Sequence, residues 1–173
     1  MESAAGEISR QLEELKVLVV DDEPSMRQVE RALLQAIGVR TIYEAGDGKS
    51  GLEAICARAP DLVLLDWEMP SLNGPEFMRV LRSPAKFPLP DVPVIMLTGY
   101  SERSRVVEAV RLGVNEYLLK PVSSTALLAR IASILKKPRR MLKQGDYYGP
   151  EPRKLATYKP DSDPGFGQIY LVN

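Results

Sequence analysis

The side chains of this sequence that could do chemistry stand where short apolar runs end. They are Asp21 and Asp22, Asp66, Thr98, and Lys120. Converging carboxylates make a site for a hard divalent cation, and Mg²⁺ is preferred where few protein ligands combine with water. A lysine and a hydroxyl opposite that cation can clamp a phosphoryl group during in-line transfer to a carboxylate such as that of Asp66. Read alone, Asp66 is also consistent with a helix cap or a turn.

The residues around Asp66 predict its place in a sheet. Leu62 to Leu65 are all apolar, as in a strand buried on both faces. Since such a strand cannot hold a charge in its interior, we expect Asp66 at its carboxyl end, the edge at which open α/β sheets bind ligands. Asn73–Gly74 then marks a turn.

Apolar strand patterns alternate with helical patterns along the chain. The predicted strands are residues 16–20, 39–43, 61–66, 94–98 and 115–119. The apolar face of the first helix after a strand is predicted to comprise Met26, Val29, Leu33, Leu34 and Ile37. The alternation predicts an α/β fold with a parallel sheet covered on both faces. The usual solution for five such units is flavodoxin-like and doubly wound, with strand order 2-1-3-4-5. All strand ends then face one way, so their side chains can converge.

Composition excludes several classes of protein. The sequence has no histidine, which removes Ser-His-Asp and Cys-His catalysis and His-ligated zinc. No apolar run is long enough to span a membrane, and the N-terminus lacks a signal-peptide layout, so we expect a cytoplasmic protein without membrane contact. The single cysteine, Cys56, rules out an intramolecular disulfide, and its helical pattern with Leu52 and Ile55 predicts a buried structural thiol.

The strand-end residues together resemble the signature of the receiver domain of bacterial two-component response regulators. The match covers Asp21–Asp22, Asp66, Thr98 and Lys120–Pro121 in order, across about residues 16–136. The resemblance implies a phosphoacceptor that works with Mg²⁺, not an enzyme acting on a separate substrate. It further implies that the peptide bond between Lys120 and Pro121 is cis, which is feasible mainly before proline.

The resemblance assigns a role to each site residue. Asp66 is the implied phosphoacceptor and a ligand of Mg²⁺. Asp22 would bind Mg²⁺ directly, Asp21 through water, and Glu68 through its backbone carbonyl. Thr98 would bind a phosphoryl oxygen after activation, and Lys120 would pair with the phosphate.

Two further positions are implied to control switching and lifetime. Tyr117, three residues before Lys120, occupies the place of the family's switch aromatic; packing is the alternative for this residue. Glu68 and Tyr100 flank the path of the attacking water in the family, so a bulky Tyr100 would obstruct hydrolysis, and Glu68 would orient or repel the water. We expect a phosphoryl group that is not very short-lived.

The chain ends suggest appendages to one domain. Residues 1–15 are a lead-in whose Ile8, Leu12 and Leu15 have helical spacing. Residues 16–136 are the receiver, and residues 137–173 form a Pro/Gly-rich tail that cannot build a second core. Asp146 to Lys154 resembles a stretch found after the receiver in other stand-alone regulators. Gln168–Val172 has strand-like composition and could dock on a partner, so a homodimer through the tail and a disordered tail both stay open.

These observations favour a single-domain response regulator that is phosphorylated by a sensor histidine kinase or a histidine phosphotransfer protein and signals to a downstream protein. A phosphate sink or relay intermediate is an alternative within that class. A hydrolase of the haloacid dehalogenase type would need a second Asp two residues after the nucleophile, where this chain has Glu68. Nucleic acid is not expected as a partner. A third alternative is a protein that binds nucleic acid through its basic tail, since residues 136–160 carry eight Lys or Arg against two acidic residues. Steep salt dependence of DNA binding would indicate this alternative.

Overall fold

The computed structural model describes residues 3–99 and 103–152. The strands are β1 Lys16–Val20, β2 Thr41–Ala45, β3 Leu62–Asp66, β4 Val94–Thr98, β5 Glu116–Leu119, β6 Met141–Gln144 and β7 Tyr147–Pro150. The helices are α1 Ala4–Glu14, α2 Pro24–Ala36, α3 Gly48–Arg58, α4 Gly74–Leu81, α5 Arg103–Arg111 and α6 Ser124–Lys136. No helix in these ranges is long and apolar enough to cross a membrane. Tyr100 and Gln168–Val172 lie outside the described residues.

The main sheet has the order β2-β1-β3-β4-β5, and every neighbouring pair in it is parallel. The predicted flavodoxin-like α/β fold and its strand order are therefore confirmed. Asp66 of β3 lies opposite Leu97, and Thr98 of β4 lies opposite Leu119. This register brings the carboxyl ends of the three strands to one level at the same edge.

Alternate residues of the central strands pack into two separate hydrophobic cores, one on each face of the sheet. Val20 and Leu65 pack with the residues of α3, α4 and α5 on one face of the sheet. Val19 and Leu64 pack with the residues of α1, α2 and α6 on the other. Both faces of the strand are covered by helices, which is why β3 and β4 are buried along their whole length and why their sequences are continuously apolar.

Three expectations from the sequence are wrong in detail. The second strand begins at Thr41 instead of residue 39, because the Val39 N–H completes the end of α2 by donating to the carbonyl of Leu34 (3.0 Å). Val29 is 50% exposed, and Glu30, one residue later, is 3% exposed on the core side of α2. Cys56 is exposed, since α3 turns it away from the face that buries Ile55.

The beginning of the tail forms a hairpin, which the sequence analysis did not predict. Strands β6 and β7 pair in antiparallel fashion and are joined by a turn with Gly145 at a φ of +59°. The hairpin is tied to the receiver by the Tyr148 hydroxyl, which donates to Asp91, and by Arg139, which donates to the carbonyl of Asn115. Residues 141–150 thus belong structurally to the domain that they follow.

A buried arginine organises the end of the sheet opposite the strand ends described above. The Arg82 guanidinium donates to the carbonyls of Val92 (2.8 Å) and Gly113 (3.0 Å) and to the side chain of Asn115 (3.0 Å). Burial lowers its pKa to about 10, so it remains charged at neutral pH. Arg82 therefore ties the loop before β4 to the turn between α5 and β5, on which the hairpin rests.

Candidate functional site

The site is built from residues at the carboxyl ends of β1, β3, β4 and β5. Two backbone hydrogen bonds extend the ladder beyond the strands: the Trp67 N–H donates to the Leu97 carbonyl (2.9 Å), and the Lys120 N–H donates to the Thr98 carbonyl (2.8 Å). They fix the direction of the chain where it leaves Asp66 and where it reaches Lys120. The peptide bond between Lys120 and Pro121 is cis.

The start of α4 fixes the loop that leaves Asp66. Asn73 caps the helix in a capping box with Glu76. Gly74 lies so close to the preceding loop that a Cβ atom there would come within 2.9 Å of the Trp67 Cα atom and 3.0 Å of the Asp66 carbonyl oxygen. A larger residue would displace the Asp66 backbone, so the turn that Asn73–Gly74 predicted is also a positioning element for the site.

Lys120 lies between two carboxylates. Its Nζ atom is 3.0 Å from Oδ1 of Asp66 and 3.1 Å from Oδ2 of Asp21. The other oxygen of Asp21 accepts a hydrogen bond of 2.8 Å from the Glu23 N–H. Since Asp21 is 1% exposed, its charge depends on these partners instead of on water.

Asp21, Asp22 and Asp66 form a group that fits a divalent cation. Each offers a carboxylate oxygen, and these atoms all lie within 4.8 Å of one another. Carboxylate oxygens are the donors that Mg²⁺ prefers, and Asp22 is partly exposed, which leaves a side for water ligands. The donor set therefore fits the Mg²⁺ that the resemblance implies.

The pKa values of the central pair are shifted by burial and by each other. Burial raises the pKa of Asp66 to about 6, although the hydrogen bond and charge of Lys120 act to lower it. Burial lowers the pKa of Lys120, but the hydrogen bond and charge of Asp66, with a contribution from Asp21, outweigh it and leave that pKa raised. Lys120 therefore stays protonated and offsets the repulsion between the carboxylates of Asp66 and Asp21.

Glu30 is a fourth carboxyl group near the site that sequence analysis missed. Neither of its oxygens has a hydrogen-bond partner among the described residues. Burial and the charge of Asp21 raise its pKa to about 8, while the charge of Lys120 acts against this shift. The helical pattern could have predicted that Glu30 is buried. Glu30 lies four residues from both Met26 and Leu34 and therefore shares their face of the helix.

Thr98 and Tyr117 are hydrogen-bonded to each other through their hydroxyl groups. Thr98 has no exposed surface, and Tyr117 is 7% exposed. The pair joins the end of β4 to β5, and burial raises the pKa of the Tyr117 phenol. In this structure the Tyr117 ring therefore lies inside the domain.

Glu68 points its side chain at a residue that the sequence analysis did not select. Arg105 of α5 donates a hydrogen bond to the Glu68 carboxylate, and its guanidinium carbon lies 5.2 Å from the centre of the Trp67 ring. The guanidinium also contributes charge near the Tyr117 phenol. Nothing in the sequence spacing pairs position 68 with position 105, because the contact crosses from one loop to a separate helix.

Comparison with known proteins decides the family. Residues 17–132 match the model of the response regulator receiver domain. The chain belongs to the response regulator receiver family. Chemotaxis protein CheY of Pseudomonas aeruginosa is 32% identical over 123 residues, which are 71% of this chain and 98% of that protein. Chemotaxis protein CheY1 of Helicobacter pylori is 34% identical over 122 residues, covering 70% of this chain and 97% of that protein.

Solved structures agree with this assignment. The receiver domain of the Francisella response regulator 1452 superposes with a TM-score of 0.64 at 30% sequence identity, covering 71% of this chain and 98% of that one. The receiver is thus a phosphoacceptor signalling domain whose acidic group Asp21, Asp22 and Asp66 is typical of the family's Mg²⁺ site. Receiver domains take histidine kinases as partners. Helix α1 and strands β6 and β7 lie outside the matched residues.

Proposed function

We propose that this receiver accepts a phosphoryl group on Asp66 from the phosphohistidine of a sensor kinase or a histidine phosphotransfer protein, and that it signals through altered protein contacts. The observation that carries the proposal is the bridge of Lys120 between Asp66 and Asp21 at the ligand-binding edge of the sheet. That bridge places a fixed positive charge where a phosphoryl group on Asp66 would need it.

In the transfer, a carboxylate oxygen of Asp66 attacks phosphorus and forms the new P–O bond. The P–N bond to the donor imidazole breaks, and its electron pair stays on the imidazole nitrogen. Mg²⁺, held by Asp22 and Asp66, by Asp21 through water and by the Glu68 backbone carbonyl, would supply positive charge to the phosphoryl oxygens. Lys120 pairs with those oxygens, and the backbone N–H of Glu68 helps to keep Asp66 ionised by lowering its pKa.

The hydrogen bond between Thr98 and Tyr117 is the proposed switch. A phosphoryl group on Asp66 offers the Thr98 hydroxyl a more strongly charged acceptor than the phenol. Thr98 then leaves Tyr117, and the tyrosine fills the space that Thr98 vacates. The surface formed by α5, β5 and α6 changes as a result, and that surface is the proposed contact for the downstream protein.

The tail adds a second proposed contact. Residues 137–173 act as an arm for a partner or for a second copy of the chain, and the hairpin of β6 and β7 holds the start of this arm against the receiver. We further propose a cytoplasmic location, where the kinase domain that supplies the phosphoryl group would be found.

The test uses purified protein, Mg²⁺ and a small acyl phosphate as donor. Intact mass should increase by one phosphoryl group, and the increase should be absent in Asp66→Asn. Chelation of Mg²⁺ should prevent it in the wild type. An unchanged mass for correctly folded wild-type protein would overturn the proposed phosphoacceptor function and leave a receiver that acts by binding alone.

A further inference from the structure

Arg105 has no part in the transfer described above, yet it lies at the mouth of the site. It is bonded to the Glu68 carboxylate, stacked on Trp67 and close enough to Tyr117 to influence the phenol's pKa. It thus contacts the two residues that follow Asp66 and lies near the proposed switch. Its own helix, α5, belongs to the proposed output surface.

Glu68 connects Arg105 to the loop that leaves the reacting Asp66. The backbone N–H of Glu68 helps to lower the pKa of Asp66, while the side chain of the same residue bonds to Arg105. Arg105 is thereby connected, through Glu68 and Trp67, to the two residues that follow Asp66 in the chain. The Arg105 side chain is 27% exposed and that of Glu68 is 55% exposed, so their pairing takes place partly in water and is weak enough to exchange.

Phosphorylation would change the charge that Arg105 faces. A phosphoryl group carries a charge of about −1.5 to −2 and three strong acceptor oxygens. Lys120 is already shared by Asp66 and Asp21. With Mg²⁺ bound, the ion and Lys120 would together balance the charges of Asp21, Asp22 and Asp66 before the transfer, and the phosphoryl group would then add about one further negative charge that neither cation offsets. A guanidinium offers a planar fork of donors that matches phosphate oxygens.

We propose that Arg105 is a second cationic ligand of the phosphoryl group, held by Glu68 in the resting protein and transferred to the phosphoryl oxygens after Asp66 is phosphorylated. The inference rests on the proposed function. The transfer breaks the ion pair with Glu68 and the stacking on Trp67, and it draws the α5 helix toward β3. The Glu68 side chain thus competes with the phosphoryl group for Arg105. This role is separate from the one proposed for the Glu68 backbone carbonyl.

The competing account is a structural ion pair that only fastens α5 to the loop after β3. The two accounts predict different signs. If the pair is structural, Glu68→Gln and Arg105→Gln both disturb the position of α5, and both weaken phosphoryl binding. If Glu68 competes with the phosphoryl group, Glu68→Gln strengthens phosphoryl binding and Arg105→Gln weakens it.

The probe is beryllofluoride with Mg²⁺, which stands in for the phosphoryl group on Asp66. The fluorescence of Trp67, the single tryptophan, reports binding, and only the midpoint of the titration is compared among variants. The set is wild type, Glu68→Gln, Arg105→Gln, Arg105→Lys and the Glu68→Gln/Arg105→Gln double variant. Arg79→Gln is the matched control, because Arg79 is an exposed arginine of α4 that pairs with Glu108 of α5 at 3.9 Å.

We expect the midpoint to rise about tenfold in Arg105→Gln, to fall about threefold in Glu68→Gln, and to be partly restored in Arg105→Lys. In the double variant the gain from Glu68→Gln should disappear, since no guanidinium is left to release. A gain that persists there would mean that Glu68 acts only by its charge and would overturn the role of Arg105. Equal losses in both single variants, or no change in either, would also overturn it. A wild type that does not respond to beryllofluoride would contradict the proposed function instead.

Discussion

The ammonium nitrogen of Lys120 lies 3.0 Å from Oδ1 of Asp66 and the same nitrogen lies 3.1 Å from Oδ2 of Asp21. A single cation that follows β5 thus joins an acid that follows β1 to the acid that ends β3, before any phosphoryl group arrives. Because all three side chains are largely buried, the receiver holds its charges in a preorganised arrangement, and the removal of one charge changes the cost of the others.

Lys120→Met should therefore destabilise the protein without Mg²⁺ and increase its response to Mg²⁺. The loss removes the partner of two buried carboxylates, and we expect the free energy of unfolding at neutral pH to fall by about 1–3 kcal/mol. Added Mg²⁺ should recover part of the loss by supplying positive charge to the same acids. Urea unfolding with and without chelator measures both effects, and Lys136→Met, at an exposed lysine of α6, is the control. Equal free energies of unfolding for Lys120→Met and wild type would show that the contacts of Lys120 with Asp66 and Asp21 do not stabilise the protein.

Glu30 predicts a pH dependence of stability. Its pKa is about 8 in the folded protein against 4.5 as the ordinary value, so between these pH values the folded state holds a proton that the unfolded chain releases. The free energy of unfolding contributed by Glu30 therefore falls as the pH rises from about 4.5 to about 8. Glu30→Leu should remove this loss, and its advantage over the wild type should grow by at most about 1.4 kcal/mol per pH unit across that range.

Urea unfolding of Glu30→Leu and wild type at several pH values, in the presence of chelator, checks this prediction. Asp21, Asp66 and Lys120 are the charged groups that act on Glu30, and they remain in both proteins. Glu53→Gln, at an exposed glutamate of α3, is the matched control. An advantage of Glu30→Leu that stays constant with pH would mean that Glu30 is charged in the folded protein.

The hydrogen bond between Thr98 and Tyr117 predicts that two conservative variants differ. Tyr117→Phe and Thr98→Val each remove this bond, and each should lower the free energy of unfolding by about 1 kcal/mol. Thr98→Val also removes the hydroxyl proposed to bind the phosphoryl group, so it alone should weaken beryllofluoride binding. The two unfolding losses should not add in the double variant, since one bond is lost only once. Additive losses would indicate that the hydroxyls have separate partners.

The hairpin predicts a specific steric sensitivity. A Cβ atom on Gly149 would lie 2.6 Å from the Tyr147 hydroxyl oxygen and 2.7 Å from the Cα atom of Gly113. Gly149→Ala should therefore detach β7 from the turn after α5 and increase amide exchange in residues 141–150, with a smaller loss of stability in the receiver. Lys143→Ala, on an exposed residue of β6, should leave exchange unchanged. Equal protection in Gly149→Ala would contradict the docking of the hairpin.

The sequence predicted the parallel sheet and the strand ends well, because buried parallel strands are continuously apolar and end abruptly at charged residues. Leu62 to Asp66 shows both properties. The predicted start of β2 was less accurate. Val39 is buried because it packs at the end of α2, and it does not pair with another strand. Periodicity reports burial, and burial alone does not separate these two causes.

Other features depend on contacts that spacing along the chain does not reveal. Glu30 replaces an apolar residue in the helical pattern, so a rule that assigns charged residues to the surface misplaces it. Arg105 and Arg82 act on residues that are distant in sequence. The hairpin has strands of four residues in a segment whose proline and glycine content favoured an irregular tail, and its stability comes from docking on Gly113 instead of from local propensity.

The most direct measurement locates the phosphoryl group. Protein incubated with Mg²⁺ and a small acyl phosphate is treated with borohydride, which reduces an aspartyl phosphate to homoserine, and the peptides are then sequenced by mass spectrometry. We predict homoserine at position 66, at none of the other acidic positions, and only when Mg²⁺ and the donor are both present. Modification at Asp21 or Asp22 in place of Asp66, or a phosphoryl group that resists borohydride, would contradict the account.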